Sequence, residues 1–189
     1  MARAHAVRCL MTTSMEIVNG ELAPRLRTAR LVLRGWQGSD FDAHAAMSAD
    51  PDVMRYLGGP VDREEAWRRM AGHAGHWVLR GYGMWVVERQ ADGTLLGRVG
   101  LWNPEGHPGL EVGWHLARQA WGQGYAIEAA RAAMEWAWTV LEAPRLISII
   151  HPENAGSIHV AERLGEGFLR HDDTEDEPAV IYGIERPRS

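Results

Sequence analysis

Cysteine is almost missing from this 189-residue chain. The one residue, Cys9, has no partner for an internal disulfide and supplies no thiolate cluster for a metal. That excludes a disulfide-stapled secreted scaffold and points to a reducing, cytoplasmic setting. No apolar run approaches the roughly 20 residues that span a bilayer, so no membrane-spanning helix is expected. A basic excess is missing too: the formal net charge is −5 with both signs interspersed, which argues against a general nucleic-acid binder. Phenylalanine is scarce, two against nine tryptophans, so Trp36, Trp67, Trp77, Trp85, Trp102 and Trp114 are expected mostly to fill core.

What is present is ordinary globular sequence, 46% hydrophobic and 24% charged, of a length that suits one domain with a sizeable core. Residues 1–20 bear arginine, are poor in acids until Glu16 and lack an apolar signal region. They read as a flexible tail, or as the product of a start earlier than Met11 or Met15, ahead of a domain over residues 21–187.

Periodicity divides that domain. "RLVLRGW" (Arg30–Trp36) alternates as a strand. Ser39 with Asp42 resembles a capping pair for a helix reaching about Asp50, where Pro51 stops it. Gly58–Pro60 is a turn, and Asp62 with Glu65 forms a capping box for a second helix. Its apolar positions Ala66, Trp67, Met70, Ala74, Trp77 and Val78 recur at helical spacing. "YGMWVVER" and "TLLGRVGLWN" flank an Asp-Gly hairpin signal, and Gly109–Leu116 is a further short strand. A helix from about Gly124 to Leu141 ends before Pro144, and the apolar run Arg145–Ile150 reads as a buried strand. Asn154 opens a helix that Gly165 closes, and "GFLRH" and "AVIYGIE" finish as two strands. The acidic "DDTEDE" (Asp172–Glu177) between them is expected to be a solvated loop. The class is α+β (mixed α/β), one domain, with a parallel pair formed by Gly109–Leu116 and Arg145–Ile150 on either side of a helix.

Two glycines, Gly122 and Gly124, stand directly before that helix, where glycine weakens helical structure. Backbone N–H groups at a helix N-terminus lack partners and lie at the positive end of the dipole, so the position suits an anion approaching close to the backbone. A plain strand-to-helix turn is the alternative. A phosphate-binding P-loop is excluded because no Gly-Lys-Ser/Thr follows and no lysine stands nearby. A dinucleotide fingerprint is excluded because Ile127 replaces its third glycine and His151 its acidic residue.

Gln119-Ala-Trp-Gly122-Gln-Gly124 is similar to the Q/R-x-x-G-x-G/A signature of the GNAT superfamily of N-acetyltransferases. Trp121–Ala129 ("WGQGYAIEA") resembles its RimJ/RimL-type branch, as do "LEVGWHL", "LRTARLVLRGW" and the Asn154-x-x-Ser157 helix running to Leu164-Gly-Glu-Gly-Phe168. The branch usually has "LGF" at this last place, so the turn reads as extended by two residues. The resemblance covers about Leu22 to Glu185. It implies a central, mostly antiparallel twisted sheet flanked by helices, whose one parallel pair is splayed.

The resemblance also implies acetyl-CoA as cosubstrate and no metal. Gln119, Trp121, Gly122, Gln123, Gly124, Tyr125 and Ala126 would cradle the pyrophosphate. Trp114, His115 and Leu116 would offer backbone groups to pantetheine, and an N–H near Leu116 would stabilise the tetrahedral oxyanion. Asn154, an N-cap by position, would also hold pantetheine, and Ser157 would protonate the departing thiolate. The amine attacks directly, with no covalent enzyme intermediate. It must be neutral, which for a lysine costs about 3 kcal/mol more than for a protein α-amino group. Glu111 is the best candidate base, with an ion-paired strand carboxylate as its plainer role, while His115 and His151 are possible shuttles.

His73 and His76 stand three apart on one helix, but no third ligand accompanies them. The helices between Asp40 and Arg80 occupy the region where the family binds its amine. The acceptor is a protein N-terminus or a small amine, and the enzyme a monomer or homodimer. A non-catalytic CoA-binding sensor or structural module would need the same glycines and Asn154, but neither Ser157 nor Glu111.

Overall fold

A computed structural model of the chain describes residues 14–16, 23–172 and 178–187. Apart from Ser14–Glu16, the expected tail of residues 1–20 lies outside these, as does 173–177 of the acidic connector. The strands are β1 (Ser14–Glu16), β2 (Arg25–Arg27), β3 (Leu31–Arg34), β4 (Met84–Arg89), β5 (Leu95–Trp102), β6 (Glu111–Leu116), β7 (Arg145–Ile150), β8 (Gly167–Asp172) and β9 (Ala179–Glu185). The helices are α1 (Phe41–Ala49), α2 (Pro51–Met54), α3 (Arg63–Arg80), α4 (Tyr125–Thr139) and α5 (Ala155–Leu164). The nine strands among the described residues join one sheet in the order β1-β2-β3-β4-β5-β6-β7-β9-β8, antiparallel except between β6 and β7.

The start of the first helix differs from the expected capping. Gln37 and Asp40, rather than Ser39 and Asp42, form a box around a single 3-10 turn that runs into α1. Asp50 then caps a new helix, accepting from the N–H groups of Asp52 and Val53, with Pro51 in the first turn of α2. Proline therefore both ends one helix and begins the next, because its missing N–H costs nothing in a first turn. Asp62 caps α3 by accepting from Glu65 N, and Gly81 closes it in the left-handed region at φ 73°.

The buried stripe of α3 is Ala66, Met70, His73 and Trp77, with His76 beside it. Trp67 and Val78, expected within the stripe, are 51% and 66% exposed. Each lies one residue, about 100°, off the i, i+4, i+7, i+11 line, and the contact is too narrow to cover them. Trp67 packs edge-on against Phe41 at 5.1 Å instead.

Strand alternation sorts the sheet into two faces. Leu31, Leu33, Trp85, Val87, Val99, Leu101, Val112 and Leu116 form the main core with Ala129, Ala130, Ala133, Trp136 and Ala137 of α4. The alanine-rich flank of α4 lets that helix lie close to the sheet. Trp85 donates its indole N–H to Pro24 O and Trp77 donates to Met84 O, so both large rings are buried with their polar atoms satisfied. The opposite face carries Arg34, Met84, Val86, Arg98, Gly100, Trp102, Glu111, Gly113 and His115, as the strand registers require. The N-terminal helices pack against it.

Candidate active site

The parallel pair is paired at a single position, Glu111 opposite Ile147, with Ile147 N donating to Leu110 O at 3.0 Å. In a continued ladder, Ile149 N would next reach Val112 O. The Ser148 hydroxyl lies 2.7 Å from that carbonyl instead, and β6 and β7 part from here onward. Ala117 N donates to Leu96 O at 2.8 Å, which fixes the alternation along β6. Peptide groups of Val112, Trp114 and Leu116 point toward β7, while those of Gly113 and His115 point toward β5. The gap is thus lined by backbone donors and acceptors of Trp114 and Leu116. His115, expected to share that role, is turned the other way by its pairing with Arg98.

The glycine turn closes the wide end of the gap. Gly122 and Gly124 have φ of 70° and 77°, conformations that strain any residue with a Cβ. A Cβ at Gly122 would meet nothing within 4 Å, so crowding within the protein does not explain the glycine. Gly124 is the N-cap of α4 without a side-chain cap, and intrahelical bonding begins only at Glu128 N to Gly124 O. The N–H groups of Tyr125, Ala126 and Ile127 precede that bond and face outward at the positive helix end. The Trp121 indole donates to Leu116 O at 2.8 Å, and Gln123 Nε2 donates to Gln119 O at 2.7 Å, so both side chains brace the turn. The ring of Tyr125 is buried, leaving only its backbone to a ligand.

Arg30 was not singled out by any sequence pattern. Its Nη1 donates to Gln123 O at 2.9 Å, its Nε donates to Glu128 Oε2 at 2.6 Å, and its guanidinium lies 4.5 Å from the Tyr125 ring centre. Glu128 also accepts from Thr28 Oγ1 and Arg30 N, so its carboxylate is held ionised by these donors against partial burial. Arg30 and Glu128 thereby tie the turn to the loop before β3. The signal for Arg30 is long-range, since 93 residues separate it from Gln123.

Asn154 caps α5 by accepting from Ser157 N at 3.1 Å, which places Ser157 in the first turn beside β6. There the Trp114 indole donates to Ser157 Oγ at 3.2 Å, leaving the hydroxyl proton free to point elsewhere. On the other face, Glu111 Oε2 lies 2.9 Å from His107 Nε2, in a dyad both of whose members are largely shielded from solvent. His107 comes from the β5–β6 loop and was also missed. Its spacing to Glu111 carries no strand or helix signature, only the loop's path.

The histidines divide by environment. His76 is tied by Nδ1 to Tyr82 O at 2.7 Å and accepts from Asn103 N at Nε2. His151 accepts from Glu153 N and packs 5.0 Å from Tyr56. Burial, reinforced by the positive charge of Arg98, drives the pKa values of His73 and His115 well below the ordinary value, so both are neutral. His44 is pushed down to about 4 for the same two reasons. Among the described residues no three His, Cys, Asp or Glu side chains converge as a metal set.

Beneath the point where the strands part lies Glu166. The turn after α5 is a Schellman closure, with Gly165 in the left-handed region and Glu166 N donating to Ala161 O at 3.0 Å. The next position in this motif usually packs an apolar side chain against the helix. Here it holds a carboxyl, 4% exposed and 3.1 Å from Ser148 Oγ. Burial raises its pKa to about 7, against the lowering effect of the Ser148 hydrogen bond, with Glu111 adding to the rise. No looped-out residues mark the turn, because β8 begins at Gly167 directly.

Comparison with known proteins is consistent across sequence and structure. Residues 30–166 match the family model described as an acetyltransferase (GNAT) domain. The chain is 31% identical over 166 residues to YkkB of Bacillus subtilis, covering 84% of this chain and 94% of that protein. An acetyltransferase from Agrobacterium tumefaciens superposes with a TM-score of 0.80 at 33% identity, covering 86% of this chain and 94% of its own. Spermidine N-acetyltransferase of Vibrio cholerae, solved with CoA and spermine, shares the fold with a TM-score of 0.68 at 19% identity over 82% of this chain and 95% of its own.

Proposed function

The chain belongs to the GNAT family of acetyltransferases, and on that premise we propose that it moves the acetyl group of acetyl-CoA to a primary amine by direct attack. The observation that carries this reading is the parting of β6 and β7 after one paired position, with an uncapped helix N-terminus at the wide end. Such a gap offers an extended amide-bearing chain the hydrogen bonds of a missing strand, and its phosphates the free N–H groups of α4. Neither feature would serve a plain turn. The branch most similar in motif is the RimJ/RimL type, and the acceptor is either a protein N-terminal amine or a small amine.

In this proposal Tyr125, Ala126 and the Gln119–Gly124 turn hold the pyrophosphate, and backbone groups of Trp114 and Leu116 hold pantetheine. Asn154 borders the same gap. A backbone N–H near Leu116 takes the negative charge that develops on the thioester oxygen. Glu111, with His107 behind it, receives the amine proton directly or through a water. Ser157 protonates the departing CoA thiolate. The indole N–H directed at its oxygen stabilises charge there and makes the hydroxyl a better proton donor.

Titration calorimetry with acetyl-CoA, followed by CoA-release assays on N-terminal peptides and small amines, tests the reading. Acetyl-CoA binding with turnover of at least one amine supports it. Binding without turnover of any amine would favour the non-catalytic CoA-binding module, and absence of binding would overturn the site altogether.

A further inference from the structure

The face of the sheet opposite α4 carries two separated opposite charges on a floor without side chains. Arg98 and His115 are register partners on β5 and β6, Gly100 and Gly113 are the next pair on that face, and Trp102 and Glu111 the pair after. Arg98 and Glu111 therefore stand at the two ends of a strip about 13 Å long, four residues of strand. Two groups reach over its middle: a Cβ built at Gly113 would lie 3.3 Å from Met84 Cε and 3.5 Å from Glu111 Oε1, so the carboxylate leans along the strip toward Arg98.

The cationic end is incompletely paired. Among the described residues Glu111 is the opposing charge that acts on Arg98, and Arg69 of α3 works against it. Yet the Arg98 guanidinium forms no hydrogen bond or ion pair with any described residue, and its Nε is buried without a partner. Burial holds its pKa down at about 10, and the group stays cationic at neutral pH. Around it the His115 ring, 6% exposed, has no partner at either nitrogen, and Nδ1 of His73 has none. Buried polar groups are ordinarily satisfied, and an orphan charge-bearing cluster at the floor of a site calls for a ligand. Neutral imidazoles can still donate one N–H each to an anion.

Resting on the transfer reaction proposed above, the geometry points to an acceptor that is a small amine carrying a carboxylate on the same molecule, its amine at Glu111 and its carboxylate at Arg98. A zwitterion of this kind pairs both ends of the strip at once. A polyamine would set a second cation against Arg98, and an alkylamine would leave the guanidinium unpaired. A planar carboxylate also matches the two-pronged donor geometry of arginine.

Matched acceptors isolate the distal group. CoA release is measured with γ-aminobutyrate, butylamine and putrescine, and with ε-aminocaproate, hexylamine and hexamethylenediamine, which keep chain length constant within each set. Alanyl-glutamate amide against alanyl-glutamine amide shows whether the carboxylate can come from a peptide. The carboxylated member should exceed its neutral and cationic counterparts by at least about tenfold in kcat/KM, the worth of one charged hydrogen-bonded pair. Arg98→Met should erase that preference without changing acetyl-CoA affinity, and Arg98→Lys should keep part of it should the methionine variant fold poorly. Equal or faster turnover of the alkylamine or diamine, an unchanged preference in both variants, or turnover of no matched amine overturns the carboxylate site. Loss of acetyl-CoA binding in the unaltered enzyme instead overturns the reading on which it rests.

Discussion

The Ser148 hydroxyl lies 3.1 Å from the Glu166 carboxyl, and its oxygen is also 2.7 Å from the carbonyl of Val112. A hydroxyl has one proton, so it cannot donate to both. With Glu166 protonated the chain is complete: the carboxylic acid donates to Ser148, which donates to Val112. With Glu166 ionised, one of the two acceptors under the strand split loses its donor.

That arrangement sets a pH dependence of stability. The folded-state pKa of Glu166 is raised from 4.5 to about 7, chiefly by burial. Stability is therefore complete below the unfolded value, falls as pH rises through the window between the two, and is level above about 7. The window corresponds to ~3 kcal/mol at about 1.4 kcal/mol per pH unit. Urea unfolding at about pH 5 and about pH 8 should show this loss in the natural chain and a much flatter profile in Glu166→Gln. Identical profiles for the two would mean that Glu166 is already ionised in the fold.

Gly124→Asp should weaken acetyl-CoA binding at least about 100-fold. The substitution forces a side chain into φ 77° and sets a carboxylate at the helix end proposed for the pyrophosphate. Calorimetry on a variant that retains its thermal transition is the measurement. Unchanged affinity would remove the turn from the cofactor site.

Ser157→Ala should lower kcat about 10- to 100-fold and leave acetyl-CoA affinity within about twofold. Rapid-quench turnover beside equilibrium binding separates the two effects. Full turnover would take Ser157 out of the mechanism.

Glu111→Gln keeps the shape of the side chain and removes its capacity to accept a proton. A fall in kcat of about 100-fold or more is expected, with a smaller fall in His107→Ala, since that ring reaches the amine only through Glu111. If both variants lose activity equally, the dyad works as one unit.

Asp40→Ala should cost about 2–3 kcal/mol in chemical denaturation, because it removes two charge-assisted hydrogen bonds from the buried Arg34 and leaves Glu88 alone to balance its charge. Arg34 donates through Nη1 and Nη2 to the two oxygens of Asp40, with Glu88 on its Nε, and these carboxylates hold its pKa above the usual arginine value. A loss below about 1 kcal/mol would place the pair among ordinary surface bridges.

Much of this was readable along the chain because it is local. Capping at Asp62 and Asn154, the glycine closure at Gly165, and the strands Leu31–Arg34 and Arg145–Ile150 each depend on neighbours within a few residues. Departures lie where two local rules compete. Asp50 ends α1 as expected but also caps a further short helix that a stop at Pro51 does not announce, while Trp67 stays outside the core because the stripe of α3 is too narrow to reach it. β2 is three residues long and too short to show alternation.

By itself the sequence determined the order of helices and strands, the glycine turn at the head of α4 and the motif that relates the chain to its family. These follow from dihedral preferences and short-range hydrogen bonds, which adjacent residues settle among themselves. Only the tertiary structure decided where β6 leaves β7, that Arg30 and Glu128 clamp the turn, that His115 turns its backbone toward Arg98, and that Arg98 faces Glu111 across two glycines. Those facts arise from register and from low-dielectric burial of charges distant in sequence. A carboxyl such as Glu166, standing where the turn ordinarily has an apolar residue, takes its character from what surrounds it rather than from what precedes it.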